Sequence, residues 1–390
     1  MSAPARPRGT GFPLAPLAAV AALGGAVVAA RFTAAPYANL DSHAFESLAR
    51  ALLDGRGFVY REPMLGTLDL YAFRSPVYAA FLALGLRLGG IPAALALQGA
   101  IAGVAAALVG AIGARLAGRR AGLIAFALAL LWPASWVFAG QILSETLYAV
   151  LAVTAVWLGL EAAERRSAAR AVLCGLACAL ALLARPPGVA LLLALVGWLS
   201  WRYRRGAVVC GLVALVAWAP WPVRNARHLH AFVPLLTSGG INAWAGNGEA
   251  PVSEGWVLMS RHTGLGEVGL DRMFWRLALA EARREPARVA RRMAAKAVAY
   301  LVPREPGRIR WFHGAALLFA LGALLVPAAR ARLTLPALVW LAHAAVTVPL
   351  VVGDRYRLPT EWVVALAAGL GIDALLALRG ARRAAAAPNG

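Results

Sequence analysis

Long apolar runs alternate with short polar links along most of this chain, and that pattern predicts a helical membrane protein. A helix needs about 20 apolar residues to cross about 30 Å of hydrocarbon. Several of the runs are shorter than this and need flanking residues to span a bilayer. The pattern predicts ten spans, at 12–31, 94–114, 121–139, 145–160, 168–184, 187–201, 206–222, 312–329, 333–351 and 359–378.

The arginines of the polar links identify one side of these spans, which we call the basic face. Alternate links and the N-terminus carry 16 arginines but only three acids, Glu161, Glu164 and Asp373. Cytoplasmic loops are enriched in Arg and Lys, so this face is predicted to be cytoplasmic. The other 15 of the 18 acids then lie on the opposite, outer face. The arginines are Arg6, Arg8, Arg115, Arg119, Arg120, Arg165, Arg166, Arg170, Arg202, Arg204, Arg205, Arg330, Arg332, Arg379, Arg382 and Arg383.

Two long stretches between spans are both predicted to lie on the outer face. The first, 32–93, holds an amphipathic helix near 41–54, which Gly55 ends. Its last part, 76–90, is apolar but short and contains Arg87. Because a span at 76–90 would break the charge bias at one link, we expect a juxtamembrane helix there. An eleventh span is the alternative.

The second outer stretch, 223–311, begins with a glycine-rich segment at 237–255, which we expect to be loop. Two basic amphipathic helices follow, at about 270–284 and 287–301, and they suit the headgroup layer of a membrane. The whole chain is then predicted to consist of an N-terminal transmembrane catalytic module, an outer loop, and C-terminal transmembrane helices with a cytoplasmic tail, at 1–222, 223–311 and 312–390.

The composition excludes a soluble protein and argues against nucleic acid as a partner. Hydrophobic residues make up 61% of the chain and charged residues 15%, a composition typical of integral membrane proteins. Most of the net charge of +21 is arginine of the basic face, which orients the chain and contacts anionic lipid. The three cysteines lie in predicted spans and frame no outer loop, so we expect no disulfide scaffold.

Two carboxylates at the outer ends of spans are candidates for chemistry. Asp41 opens the amphipathic helix of the first outer stretch, where a plain helix cap is the alternative role. Glu145 lies at the outer mouth of the fourth span, close to hydrocarbon. A carboxylate there is costly, so it is expected to have a partner or a function, with capping as the alternative.

Arginines at the same boundaries are candidates for binding phosphate. Arg355 and Arg357 flank Tyr356 between the last two spans, and Arg74 and Arg185 each precede prolines at outer span boundaries. Paired guanidinium groups can bind phosphate through two hydrogen bonds each. Simple interfacial anchoring is the alternative. The sequence has no phosphate-binding glycine-rich loop with Lys-Ser/Thr, and the histidines offer only a weak metal-ligand spacing.

An ordered set of seven motifs resembles the GT-C superfamily of polytopic, polyprenyl-phosphate-dependent glycosyltransferases. Within it, the likeness is to the protein O-mannosyltransferases and the lipid A aminoarabinose transferase, as in glycosyltransferase family 39. The motifs are LDSHAFESLARALLDGRGF, FRSPVYAAFLA, LSETL, LLARPPG, RNARHLHAFVPLLTSGGINAWAGN, EARREPARVARRMAAKAV and GDRYRLP. The resemblance implies an all-α GT-C fold with about ten, or eleven, transmembrane helices and two large outer loops.

The resemblance also implies roles for single residues. Asp41 matches the first-loop acid that acts as general base or positions the acceptor, and Glu145 matches the acid of the second outer loop. Donor-phosphate binding is implied for Arg74, Arg355 and Arg357. Substrate binding is expected at Tyr71, Asn247, Tyr356 and Arg185. The sequence departs from the family pattern at Ser42, Phe73 and Ser75.

The resemblance therefore implies an enzyme that moves a hexosyl or pentosyl group from a polyprenyl phosphate to an acceptor, and the charge bias places it on the periplasmic or extracellular face. The acceptor is a lipid, a glycan or a protein, and the expected location is the bacterial inner membrane. No cofactor is required by the sequence, although Asp41 and Glu145 could hold a divalent cation. A non-catalytic carrier or flippase of lipid-linked sugars is the main alternative, and a scaffold subunit is a third.

Overall fold

A computed structural model describes residues 11–31, 36–37, 40–249, 251–302, 308–351 and 353–386 of the chain. Within these residues, five helices are long and apolar enough to cross a membrane, and a pair bent by 48° adds a sixth. Four shorter apolar helices of 10–17 residues complete a set that matches the ten predicted spans one for one. The chain is therefore a multi-pass membrane protein of helical type. Arg6 and Arg8 lie outside the described residues.

The first half of the chain contains six of the ten helical segments that match predicted spans, and it contains the first of the two long stretches between spans. In order, the helices are α1 (Leu14–Arg31), α2 (Leu40–Leu53), α3 (Pro76–Ala117), α4 (Arg119–Leu130), α5 (Pro133–Ala139), α6 (Glu145–Arg165), α7 (Ala168–Ala184) and α8 (Gly188–Arg202). The predicted amphipathic helix near 41–54 is α2, which buries Phe45, Leu48 and Ala49. A short hairpin of β1 (Tyr60–Arg61) and β2 (Asp69–Leu70) follows it, around a single 3-10 turn.

The second half returns through the second outer stretch to the last spans. Its helices are α9 (Arg204–Trp218), α10 (Pro220–Leu229), α11 (Gly239–Asn247), α12 (Val252–Arg261), α13 (Gly266–Arg284), α14 (Pro286–Leu301), α15 (Arg308–Leu325), α16 (Pro327–Arg332), α17 (Thr334–Thr347) and α18 (Asp354–Ala386), with a 3-10 turn at Thr263–Leu265. The two predicted basic helices are confirmed as α13 and α14. The prediction of a loop at 237–255 is wrong, because α11 and the first turn of α12 occupy most of this segment.

Helix α3 contains a break that separates the predicted juxtamembrane segment from the span. Gly90 has a φ of 72°, a conformation that favours glycine, and the helix is interrupted there. A Cβ on Gly85 would overlap Ala94, so the chain doubles back and the two pieces of α3 pack on each other. The first piece buries Tyr78 against Phe45 of α2, with ring centroids 4.8 Å apart.

The basic face is held together by ion pairs between its few acids and its arginines. Glu161 pairs with Arg115, Arg165 and Arg170, and Glu164 lies 2.8 Å from Arg115. Asp373 pairs with Arg120. Glu161 lies 16 residues beyond Glu145 on α6, about 24 Å along a helix that rises 1.5 Å per residue. The two ends of α6 therefore carry two separate charged clusters.

Candidate active site

A cavity of about 550 Å³ lies between the outer elements and the ends of the spans. Its walls come from α2, the segment before α3, the start of α6, the α7–α8 link, α11, α12, α13, and the region from the end of α17 to the start of α18. Most lining side chains are apolar, among them Phe45, Trp256 and Val346. Five charged side chains interrupt this surface, and we call them the arginine–carboxylate cluster: Asp41, Arg74, Glu145, Arg185 and Arg355.

Asp41 is held by two guanidinium groups from distant parts of the chain. Arg74 donates from Nη2 to Oδ1 at 2.5 Å, and Arg355 donates from Nη2 to Oδ2. Burial by itself raises the pKa of Asp41, but the charges of Arg74 and Arg355 outweigh it and hold the pKa well below its usual range. Asp41 is therefore a carboxylate at neutral pH.

Glu145 begins α6 and is fully buried, with no exposed side-chain surface. Nη1 of Arg185 lies 2.6 Å from Oε1, and Nε of Arg355 lies 3.2 Å from the same oxygen. Arg185 also donates to the Ser144 hydroxyl at 3.0 Å. Arg355 thus contacts both carboxylates, which explains how a buried Glu145 is tolerated at a span end.

Tyr356 lies between two of the arginines. The guanidinium carbon of Arg355 is 4.7 Å from the ring centroid, and that of Arg185 is 5.5 Å away. Cations at these distances are attracted by the ring face. The aromatic ring therefore keeps two positive groups close together without adding a negative charge of its own.

The cluster as a whole carries a net charge of +1, because three guanidinium groups face two carboxylates. It opens into a mostly apolar cavity, where charges interact more strongly than in water. An anionic group that enters the cavity would neutralise the excess positive charge of the cluster. The arrangement suits a ligand that combines a single phosphate with an apolar portion.

Arg357 does not line the cavity, so its predicted place beside Arg355 is corrected. Its side chain is buried, pairs with Glu361 at 2.8 Å, and donates to the carbonyl oxygen of Ala299 at 3.3 Å. Residues two apart on a helix point in directions that differ by about 200°. Once α18 begins at Asp354, Arg355 and Arg357 cannot face the same side.

Tyr71 and Asn247 also lie outside the cavity lining. The Tyr71 ring stacks on His228, with centroids 4.9 Å apart. Asn247 donates from Nδ2 to the carbonyl oxygen of Pro349 at 2.7 Å and accepts from Nζ of Lys296 at 2.8 Å. Both residues join outer elements to other parts of the fold. The structure thus brings Asp41, Glu145, Arg74, Arg355, Arg185 and Tyr356 together at one cavity.

Several lining residues had no signal in the sequence that set them apart. Trp256 and Trp275 come from α12 and α13, and Ser238 and Asn242 come from the start of α11. They lie in or beyond the segment that the sequence predicted as loop. Trp256 directly follows the glycine-rich segment and Trp275 lies in the first predicted basic helix. Tryptophans between spans could have suggested a binding surface, because the indole ring combines a large apolar area with a hydrogen-bond donor.

Comparison with known proteins identifies the fold. No family model and no curated protein matches the sequence. The apo oligosaccharyltransferase of Archaeoglobus fulgidus aligns over 96% of this chain and 52% of its own, with 14% identity and a TM-score of 0.57. The same archaeon's AglB, in complex with an inhibitory peptide and a dolichol-phosphate, aligns over 95% and 52%, with 15% identity and a TM-score of 0.53.

This likeness shows that the chain shares the all-α membrane fold of these oligosaccharyltransferases, as the fold prediction from the sequence requires. The chain spans about half the length of the oligosaccharyltransferase chains that it matches. ArnT from Cupriavidus metallidurans bound to undecaprenyl phosphate aligns over 92% of this chain and 77% of its own, with 16% identity and a TM-score of 0.43.

Proposed function

We propose that this chain is a glycosyltransferase that moves a sugar from a polyprenyl-phosphate donor to an acceptor. The observation that carries the proposal is the arginine–carboxylate cluster, a net positive site in an apolar cavity. A phosphate on a polyprenyl tail combines one anionic group with a long apolar chain. The shared fold adds support, because one oligosaccharyltransferase of that fold is in complex with a dolichol-phosphate.

In the proposed reaction, an acceptor hydroxyl attacks the anomeric carbon of the donor sugar. The bond from that carbon to the acceptor oxygen forms as the bond to the phosphate oxygen breaks, with inversion. The hydroxyl proton passes to a carboxylate, and the electron pair leaves with the lipid phosphate. Arg74, Arg185 and Arg355 would stabilise the growing phosphate charge, since preorganised charge counts most at a low-dielectric site.

Asp41 is the carboxylate best placed to take the proton or to orient the hydroxyl. In the structure its basicity is suppressed by Arg74 and Arg355. A donor phosphate that engages these two arginines would weaken their hold on Asp41 and raise its basicity. Donor binding would thereby prepare the base, which gives the reaction an order: donor first, then proton transfer.

Arginines rather than a metal ion are proposed to neutralise the phosphate. A divalent cation between Asp41 and Glu145 does not fit the observed contacts, because Arg355 already contacts both carboxylates. Adding two positive charges to a cluster with a net charge of +1 is unfavourable near hydrocarbon. The two carboxylates are therefore assigned to holding the guanidinium groups and to proton transfer.

The proposed setting is the outer face of a bacterial inner membrane, with the cavity open to the periplasm. The basic face and the cavity lie at opposite ends of α6, and a basic face is cytoplasmic in most membrane proteins. The proposed partners are the lipid donor, membrane lipids, and a lipid, glycan or protein acceptor. The transferred group is a hexosyl or pentosyl sugar.

The test compares wild type with Asp41→Asn, purified and supplied with radiolabelled polyprenyl-phosphate sugars and an envelope acceptor extract. We expect sugar transfer by the wild type and a loss of about 100-fold in Asp41→Asn, the size typical of removing a general base. Asp54→Asn is the matched control, since Asp54 is exposed, does not line the cavity and pairs with nearby Arg56. Donor binding without transfer by either protein would instead favour a carrier or flippase.

A further inference from the structure

Glu267 is a buried carboxylate outside the cavity, and it binds the backbone next to Arg74. It lies in the first turn of α13, with 5% of its surface exposed. Its Oε2 accepts from the amide of Tyr71 at 2.7 Å, and its Oε1 accepts from the amide of Ala72 at 2.9 Å. The partners are nearly 200 residues away in sequence, so this contact joins the two outer stretches.

Other groups hold the same short backbone segment from the remaining sides. The Thr237 hydroxyl donates to Oε1 of Glu267 at 2.5 Å, and the Thr237 amide donates to the carbonyl oxygen of Ala72 at 3.0 Å. Arg224 donates to the carbonyl oxygen of Tyr71 at 2.6 Å. Both backbone amides and both carbonyl groups of Tyr71 and Ala72 are therefore bonded. Arg74 follows this fixed segment by two residues.

The same face of α13 fixes a second wall of the cavity. Asp271, one turn after Glu267, accepts from the amide of Gly240 at 2.7 Å. Gly240 lies in the first turn of α11. The residues on either side of it in the chain, Gly239 and Ile241, line the cavity. Helix α13 thus anchors both the segment that carries Arg74 and the start of α11.

We propose that Glu267 is a positioning residue, which fixes Tyr71 and Ala72 so that Arg74 is held where it meets the donor phosphate. The inference rests on the proposed function of the cavity. Hydrogen bonds to a buried carboxylate are among the stronger ones in proteins, and a small displacement of a charged group near a reacting phosphate is costly. Glu267 itself touches neither the donor nor the reacting atoms.

The test is a double-mutant cycle on the full-length protein, with affinity for undecaprenyl phosphate as the first readout. Glu267→Gln keeps the size of the side chain but replaces one accepting oxygen with a donor that faces backbone amides. We expect it to weaken binding about 10-fold when Arg74 is present. In an Arg74→Ala background, we expect Glu267→Gln to weaken binding by less than about a further twofold, because Glu267 is proposed to act on the donor through Arg74.

Hydrogen exchange of the backbone amides at 68–76 is the second readout, and it does not depend on any activity. We expect faster exchange there in Glu267→Gln, with slower or equal exchange elsewhere in the outer loops. Glu254→Gln is the matched control, because Glu254 is an exposed acid of the same outer stretch. Thr237→Val removes one donor to Glu267 and gives a milder variant if Glu267→Gln fails to fold.

The outcomes separate the inference from the proposed function. Equal losses of affinity with and without Arg74, or unchanged exchange at 68–76, would overturn the positioning role. If the wild type bound no undecaprenyl phosphate but Glu267→Gln still exchanged faster at 68–76, the proposed function would be contradicted. The conclusion that Glu267 holds the backbone of this segment in place would still be supported. Lipid-phosphate binding without sugar transfer would leave the positioning role intact and point to a carrier.

Discussion

Arg355 is the residue on which the charged cluster depends most. It is the group that contacts both carboxylates, with Nη2 on Asp41 and Nε 3.2 Å from Glu145. Arg74 and Arg185 each contact one carboxylate of the cluster. Loss of Arg355 would leave the buried Glu145 and the partly exposed Asp41 with one fewer positive partner each, and it would remove a proposed phosphate ligand at the same time.

The first prediction concerns Arg355→Gln. We expect sugar transfer to fall about 100-fold or more, the usual cost of removing a preorganised charge that stabilises a transition state. Transfer from radiolabelled donor measures the effect. Arg61→Gln is the control, because Arg61 is exposed and does not line the cavity. Its Nε lies 2.6 Å from Oδ1 of Asp69. Wild-type transfer and donor affinity in Arg355→Gln would exclude a role in phosphate binding.

The second prediction concerns the pH dependence of stability at Asp41. Since the folded pKa lies below the unfolded value, the stabilisation is present above the unfolded pKa of about 3.9 and is lost as the pH falls through the folded pKa. Between about pH 8 and about pH 5, the difference in unfolding free energy between wild type and Asp41→Asn should stay constant. Thermal unfolding in detergent at both pH values measures it. A third measurement at about pH 3 should show a smaller difference, and a difference that is unchanged or larger there would show that the arginines do not lower this pKa.

At the scale of single elements, helix packing decided what local sequence did not. The segment 237–255 reads as loop because glycines weaken a helix by about 1 kcal/mol each relative to alanine. In the structure, Gly240 lies against the backbone of α13, and a side chain there would overlap the carbonyl oxygen of Asp271. The glycines are therefore needed for close packing of α11 on α13, and that packing offsets their weak helix propensity.

The third prediction tests this contact with Gly240→Ala. The new Cβ would overlap Asp271 and lie 2.9 Å from the amide nitrogen of Trp275, so α11 must move. We expect a loss of about 1–3 kcal/mol in unfolding free energy, the range for overpacking a filled site. Thermal unfolding measures it. Gly264→Ala is the control, because a Cβ at Gly264 would meet nothing within 4 Å. Equal stability of the two variants would contradict the packing argument.

At the scale of the whole molecule, the charges separate into two clusters at the ends of α6. The basic face pairs Glu161, Glu164 and Asp373 with arginines, and the cavity end pairs Asp41 and Glu145 with arginines. Between these two ends, α6 carries no charged side chain. This distribution is what a bilayer requires of a polytopic protein, since charged groups are costly at its centre.

The fourth prediction concerns the orientation of the two faces. A membrane-impermeant thiol reagent added outside intact cells should label Asp54→Cys and leave Arg119→Cys unlabelled. Both positions are exposed, and the native Cys174, Cys178 and Cys210 are buried, so they add little background. Labelling of Arg119→Cys in permeabilised cells is the control for accessibility. The reverse pattern in intact cells would place the cavity on the cytoplasmic side.

The sequence by itself determined the spans, the basic face and the two carboxylates at span ends. These depend on local hydropathy and on the cost of charge in hydrocarbon, and both can be read residue by residue. Six of the nine residues proposed for the site meet at one cavity, because they share the outer ends of the spans.

Only the tertiary structure decided which arginines share a face and what supports them. The turn of α18 separates Arg355 from Arg357, although they are neighbours in one motif. Glu267 reaches Tyr71 and Ala72 across the two outer stretches. Contacts of this kind depend on the direction of a side chain from its helix and on packing between distant segments. A linear pattern of residues contains neither.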